Sequence, residues 1–238
     1  RLIGKVAVLA LGYQGWIGAF ESMAANYGLD LKDYAALEKY KEGPNKPTPE
    51  EEKEILERPI KEIIVAWRES HPRICELWRG IEAAAITAVK TGQPYSYGRI
   101  KYGVRGRWLH CRLPSGRLLS YYNPGTKMIK TKYGVEREVV SFMGMDTYTN
   151  KWSPQATYGG KLTENIVQAI ARDLLAEALF RLEKAGFKTV LHVHDEILAE
   201  AYDGSRLKEF EDIITQIPEW AQGLPIAADG WYGKRYRK

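Results

Sequence analysis

Apolar residues recur at helical spacing over residues 1–92, fall into short alternating runs over 93–158, and return to helical spacing from 159 to 238. Leu2, Val6, Leu9 and Leu11 set an apolar face for an opening helix, which the run Gly12-Tyr13-Gln14-Gly15 stops. Trp16, Phe20 and Met23 carry the spacing into a second helix, ending near Asn26 and Gly28. Glu42 to Pro47 reads as a loop. Thr48-Pro49-Glu50-Glu51 then starts a helix, with Thr at the N-cap, Pro at the first helical position and Glu closing a capping box. Pro59 is expected to break or kink that helix. A further helix is expected from Pro72 to about Lys90, with Gly92 near its C-cap.

The middle segment reads as strands. Trp108 to Leu113 and Arg117 to Tyr122 flank Pro114-Ser115-Gly116, a hairpin signal. Shorter strands are expected near Met128–Ile129 and Glu138–Phe142. Gly159-Gly160 precedes the longest helical pattern, with Leu162, Ile166, Ile170, Leu174, Leu175, Leu179 and Leu182 on one side. Lys188 to Val193 and Ile197 to Tyr202 are two strands around His194-Asp195-Glu196, and a last amphipathic helix lies near Ser205 to Ile217. Helical ends around a strand-rich middle indicate an α+β chain in three segments, 1–92, 93–158 and 159–238.

Composition narrows the class. The 238 residues are 45% hydrophobic and 27% charged, enough for a sizeable core. No apolar run approaches the eighteen or so residues of a membrane span. Two cysteines, Cys75 and Cys111, make no disulfide framework, so a reduced, cytoplasmic setting is expected. The net charge of +5 is unevenly placed: Arg99 to Arg137 holds ten basic residues against the single acid Glu136, a net +9. Tyr102, Trp108, Tyr121, Tyr122 and Tyr133 are interleaved there. Cations mixed with rings suit a phosphate backbone with bases to stack, and equally an edge hairpin whose cations oppose aggregation. Lys234, Arg235, Arg237 and Lys238 read as a floppy basic tail.

Three constellations could carry chemistry. Asp195 and Glu196, at a hairpin tip beside apolar Val190, Leu191, Val193, Ile197 and Leu198, would call for a cation, an arginine or water. Hairpin tips also carry charge for no chemical reason. His192 and His194, two apart, would share a strand face like paired metal ligands, but only His71 and His110 remain to complete a set. Arg1, Lys5, Leu9 and Tyr13 are four apart and form one slowly winding stripe. Two cations and a terminal ring suit a polyphosphate beside a flat base, or simply a solvated helix face. Asn165, Gln168 and Arg172 form a polar stripe on the long helix, able to reach minor-groove acceptors or to serve as its wet face.

Together and in this order, these features resemble the family A, DNA polymerase I-like, DNA polymerases. Arg1-Leu-Ile-Gly-Lys5 followed by Gly12-Tyr13 is similar to the fingers-helix signature Arg-x3-Lys-x7-Tyr. Val193-His194-Asp195-Glu196 resembles the palm signature containing His-Asp-Glu, and Gln168 falls where the family has a minor-groove-reading glutamine. Leu113-Pro114-Ser115-Gly116-Arg117 sits like the basic strand-turn-strand between fingers and palm. Ala10 to Gly15 and Gly230 to Arg235 are similar to the phage and prophage branch.

The resemblance implies helical fingers plus an antiparallel-sheet palm, acting on primer-template DNA and dNTPs in a bacterial or phage-infected cell. It implies that Asp195 is one of two carboxylates holding a catalytic Mg²⁺ pair, with Glu196 supporting it. Arg1 and Lys5 would clamp the nucleotide phosphates, Lys5 with a catalytic share as charge moves to pyrophosphate. Leu9 would sit beside the sugar, and Tyr13 would stack at the template position. Gln168 would read minor-groove acceptors, Asn165, Arg172, Arg112 and Arg117 would also contact DNA, and His194 would lie near the primer-terminal backbone.

The family's other metal-binding aspartate belongs to an Asp-Tyr-Ser-x-x-Glu signature upstream of the fingers helix, and no such string occurs in the chain. That carboxylate is therefore expected from an N-terminal portion or a partner chain, and the chain alone is expected to bind DNA or nucleotide without efficient synthesis. Extra residues are expected in Lys32–Arg58 and Asn123–Gln155, where the pattern is poorest. A single-subunit RNA polymerase shares the fold implied, although Glu196 stands where those enzymes typically have Ser. A non-catalytic, DNA-binding polymerase remnant is the reading from another class.

Overall fold

In the computed structural model the described residues are 2–29, 48–130, 134, 136–147 and 149–236. Arg1, the Glu42 to Pro47 loop, Lys132 and Tyr133 lie outside them, as does much of Lys32–Arg58. The chain divides into two compact units, Arg1–His110 with Ser120–Glu164, and Cys111–Leu119 with Asn165–Lys238. Helix and antiparallel sheet are both present, so the α+β expectation stands.

In the first unit, α1 (Leu2–Leu11), α2 (Ile17–Asn26), α3 (Pro49–Ser70) and α4 (Pro72–Thr91) bury Val6, Leu11, Phe20, Ile60, Ile64, Trp67 and Trp78 in one core. The inward face of α1 is Val6, Ala7, Ala10 and Leu11, with Ile3 beside it. Leu2 and Leu9, expected on that face, are exposed. Ala7 and Ala10 take inward positions beside Val6 and Leu11, so the buried stripe is rotated away from Leu2 and Leu9.

The capping box at Thr48 is formed: the Glu51 amide donates to the Thr48 hydroxyl, and the Thr48 amide donates to the Glu51 carboxylate at 2.8 Å. That contact also holds the Glu51 carboxyl below its ordinary pKa. Pro59 does not break α3, which runs through it to Ser70. Ile60, Ile64 and Trp67 pack into the helical core just beyond, and their burial outweighs the roughly 3 kcal/mol a helical proline costs. Gly92 ends α4 with φ of 69°, in the left-handed conformation glycine adopts freely.

Strands β1 (Tyr95–Tyr97), β2 (Ile100–Arg105), β3 (Trp108–Arg112), β4 (Leu118–Lys130), β5 (Glu136–Met145) and β6 (Trp152–Ala156) make one sheet in sequence order. The pairs β1·β2, β4·β5 and β5·β6 are antiparallel. α4 packs on β1, β2 and β5, burying Ile81, Ala84, Ala85 and Ala88 with Tyr102, Val139 and Val140. Asn123–Gln155, expected to be poorly patterned, is thus mostly strand. The strand expected to end at Tyr122 continues: β4 crosses Asn123-Pro124-Gly125 with a register shift between Tyr122 and Gly125 and with Asn123 at φ of 50°. A bulge removes the need for ladder bonds there. Two rings expected to stack on bases, Tyr102 and Tyr121, are instead core residues.

α5 (Gly159–Lys184) includes the two glycines expected to precede it. In the second unit, β7 (Lys188–Val193) and β8 (Glu196–Glu200) form a separate two-stranded sheet, and α6 (Leu207–Ile214) comes after it. Leu182, Phe187 and Ile213 form the core here, with Ile197, Ala199 and Phe210 against it. Of the expected floppy tail, Arg237 and Lys238 lie outside the described residues, and the segment before them is held as far as Tyr236. The Gly230 amide donates to Glu211, the Tyr232 hydroxyl to the Tyr202 carbonyl, and the Tyr236 hydroxyl to Glu196.

Candidate active site

The carboxylate-bearing hairpin is tight. Val193 pairs directly with Glu196, leaving a two-residue turn of His194 and Asp195. Glu196 therefore opens β8 and does not sit in the turn as expected. His194 takes φ of 52°, a left-handed conformation in which His is enriched among non-glycine residues. It is off the strand, so it cannot share a strand face with His192, which pairs with Ile197. The paired-histidine idea fails on that geometry.

Asp195 is exposed at the turn, and the neighbouring Glu196 carboxylate accepts the Tyr236 hydroxyl at 2.6 Å. The bond stabilises the protonated phenol and raises the Tyr236 pKa. Sequence reasoning missed Tyr236; its one signal was an aromatic ring inside a basic run. The apolar frame is also thinner than expected, since Val190 and Leu191 are about half exposed on β7. Among the described residues no three His, Cys, Asp or Glu side chains gather as a metal-binding group. Mg²⁺ prefers a near-octahedral set of oxygens. One exposed aspartate with one hydrogen-bonded glutamate does not by itself fit the ion.

Also in the second unit, Asn165, Gln168 and Arg172 lie on α5, with Gln168 and Arg172 exposed and Asn165 half-buried. One residue beyond Arg172, Asp173 holds the Pro114-Ser115-Gly116 turn. It accepts the Ser115 hydroxyl at 2.5 Å and Arg117 Nε at 2.5 Å, while an Arg117 terminal nitrogen donates to the Ala169 carbonyl at 2.8 Å. Arg117 thus directs its donors to α5, and Arg112, five residues earlier, is exposed.

In the first unit, Lys5 and Leu9 are both on the exposed side of α1, one turn apart. The Lys5 ammonium lies 4.7 Å from the centre of the Tyr27 ring, a cation–π contact that holds the side chain out along the helix. Tyr13 lies beyond the helix end in a half-buried turn whose next residue, Gln14, has φ of 67°. That turn is fastened from three sides. Trp78 Nε1 donates to the Gly12 carbonyl at 3.1 Å, Arg68 donates to the Gly15 carbonyl at 3.0 Å, and the Gly160 amide donates to Gln14 Oε1 at 2.9 Å. Any Cβ on Gly160 would stand 2.2 Å from the Tyr13 carbonyl oxygen, so only glycine lets α5 begin this close.

Arg137, counted in the basic run, lies 3.6 Å from Glu82 and over the Tyr158 ring. Burial raises the Glu82 pKa, against the opposing pull of Arg137. Arg117 and Arg137 therefore serve internal pairs, and the outward charge of the stretch is smaller than the sequence suggests.

No protein-family model and no solved structure matches the chain. No helix among the described residues is long and apolar enough to cross a membrane. A curated protein named DNA polymerase, from Bacillus phage SP02, is 39% identical over 244 aligned residues, covering all of this chain and 33% of that protein. The chain thus spans about a third of its relative, and from end to end it is similar to the C-terminal third of a phage DNA polymerase.

Proposed function

We propose that this chain is part of a DNA-directed DNA polymerase and supplies nucleotide- and DNA-handling surfaces for transfer of nucleotides from dNTPs to a primer 3′ hydroxyl. The end-to-end similarity to a phage DNA polymerase carries this reading. The exposed Lys5 face of α1 and the exposed Asp195 turn of the β7–β8 hairpin support it.

In the proposed reaction the primer oxygen attacks the α-phosphorus, the bond from that phosphorus to the bridging oxygen breaks, and pyrophosphate leaves. Lys5 donates to phosphate oxygens, and its effect grows as negative charge moves onto the leaving group. Arg1 acts with it. Tyr13, on a turn fastened at Gly12, Gln14 and Gly15, gives the base pair a rigid ring to meet, and Leu9 borders the sugar. Gln168, with Asn165 and Arg172, meets minor-groove acceptors common to correct pairs, and Arg112 contacts the backbone. If further acidic ligands completed a magnesium site, Asp195 would supply one carboxylate to it, with Glu196 and His194 beside it, and the ion would activate the primer hydroxyl.

The test is primer extension by the chain mixed with polypeptide corresponding to the other two thirds of the phage relative. The mixture should extend primers with dNTPs in preference to ribonucleotides, and Asp195→Asn should lower the rate more than about a hundredfold, beyond the loss typical of a mere supporting residue at a metal site. Extension unaffected by Asp195→Asn would overturn the assignment and favour a non-catalytic DNA-binding role.

A further inference from the structure

The six-stranded sheet has two different faces. One packs on α4 and is filled by Tyr102, Leu109, Tyr121 and Val140. The other carries large aromatic side chains into water. Trp108 on β3 is 42% exposed and Trp152 on β6 is 57% exposed. Tyr122 on β4 lies between them, with ring centres 4.9 Å from Trp108 and 6.4 Å from Trp152. The rings are tilted by 56° and 43°, so none is closed off by parallel stacking on its neighbour.

The row is held in place by the bulge in β4. The Asn123 amide donates to the Arg107 carbonyl at 2.7 Å, and an Arg107 terminal nitrogen donates back to Asn123 Oδ1 at 3.2 Å. This bracket sets the Arg107 guanidinium 4.9 Å from the Tyr122 ring centre. Strand alternation places exposed Lys101 and Arg105 of β2 on the same side as Trp108, which comes just after the two-residue Gly106-Arg107 turn. Among the described strand residues on this side, none is acidic. The nearby Asp146 carboxylate is turned onto its own loop, accepting from the amide and hydroxyl of Thr149.

The core does not require these rings, since the opposite face already supplies it, and leaving two tryptophans in water forgoes their burial energy. An apolar protein partner would explain the rings but not the cations alongside them. A duplex would explain the cations but not the rings, because its bases are stacked inside. A chain of phosphates with exposed flat bases matches both.

We propose that this face binds single-stranded DNA, with bases stacking on Trp108, Tyr122 and Trp152 and phosphates meeting Lys101, Arg105 and Arg107. The identity of the strand as DNA rests on the polymerase reading; the stacking itself does not, and on that reading the unpaired template is the natural occupant.

The experiment is titration of the chain with a short oligo(dT) strand, read by quenching of tryptophan fluorescence and by anisotropy of a labelled strand. Oligo(dT) should bind more tightly than a duplex of equal length. Trp152→Ala and Trp108→Ala should each weaken it about tenfold, and Trp152→Phe should recover most of the loss. Arg105→Ala with Arg107→Ala should flatten the dependence on salt. Circular dichroism of each variant should match the parent, so that a loss of binding is not a loss of folding. Asp195→Asn should bind oligo(dT) like the parent, so failure of primer extension and failure of strand binding are read separately. Unchanged affinity in the Trp108→Ala, Trp152→Ala double variant, or no binding of oligo(dT) by the parent, overturns the proposal; preference for the RNA strand oligo(rU) overturns its assignment to DNA.

Discussion

The Tyr236 hydroxyl donates to the Glu196 carboxylate at 2.6 Å, tying the C-terminal segment to the strand that leaves the His194-Asp195 turn. Forty residues separate the two in sequence. The carboxylate beside the proposed catalytic aspartate is therefore held by the end of the chain.

This contact titrates. Tyr236 has a raised pKa, chiefly because its hydrogen bond to Glu196 favours the protonated phenol. A raised folded-state pKa means the contact contributes fully below the ordinary tyrosine value of about 10 and is lost as pH rises through the raised value. The difference between phenolate absorbance titrations of the parent and Tyr236→Phe should show a midpoint above the ordinary value. Glu196→Gln, which keeps an acceptor but removes its charge, should bring that midpoint down. An unmoved midpoint would mean the bond is absent in solution.

Gly160 lies where α5 begins against the Tyr13 turn. Gly160→Ala places a Cβ 2.2 Å from the Tyr13 carbonyl oxygen, and backbone there cannot swing aside as a side-chain tip can. We expect a loss of about 1–3 kcal/mol in denaturant unfolding, the usual range for overpacking. In the reconstituted enzyme the Michaelis constant for dNTP should rise as well, because the displaced turn carries Tyr13. A stable variant with parental kinetics would show the contact to be slack.

Lys5 stands on an exposed helix face, so its removal should leave the fold alone. Lys5→Ala should keep the parental melting temperature while lowering kcat with dNTP by about 10²–10³, as expected when one donor to developing charge is removed. Lys5→Arg should retain part of the rate. If Lys5→Ala changed only the Michaelis constant, the lysine would bind phosphate without assisting the chemistry.

Asp173 holds the Ser115–Arg117 turn from α5 while being largely buried itself. Asp173→Ala strands both partners, and hydrogen bonds to a charged group are worth about 1.5–3 kcal/mol each. Arg117 is partly exposed and can find water, so we expect a total near the low end, about 2 kcal/mol, measured by urea unfolding. A loss below about 0.5 kcal/mol would place this pair among ordinary surface ion pairs.

Local rules were enough for features that depend on a few neighbouring residues. The Thr48 capping box, the Gly92 cap and the Pro114-Ser115-Gly116 turn each satisfy backbone groups within one or two turns of chain, and all are present as read. The exposed positions of Lys5, Gln168 and Arg172 result from helical spacing in the same way. Pro59 and Asn123-Pro124-Gly125 both lie inside continuous elements for a common reason. Each is a local breaker overruled by contacts remote in sequence: the helical core around Ile60, Ile64 and Trp67, and the pairing of β4 with β5.

By itself, then, the sequence determined the local caps and turns, the presence of most helices and strands, and the similarity to a phage DNA polymerase that runs from end to end. Tertiary structure alone decided which of its many cations and rings face outward. Arg117 and Arg137 turn inward to Asp173 and Glu82, Tyr102 and Tyr121 go to the core, and Trp108, Tyr122 and Trp152 line up on a solvent face across strands far apart in sequence. Charge and aromaticity are properties of residues, but their availability depends on which sheet face each occupies and which partner the fold brings within a hydrogen bond. Those relations arise only when strand register and long-range packing are set.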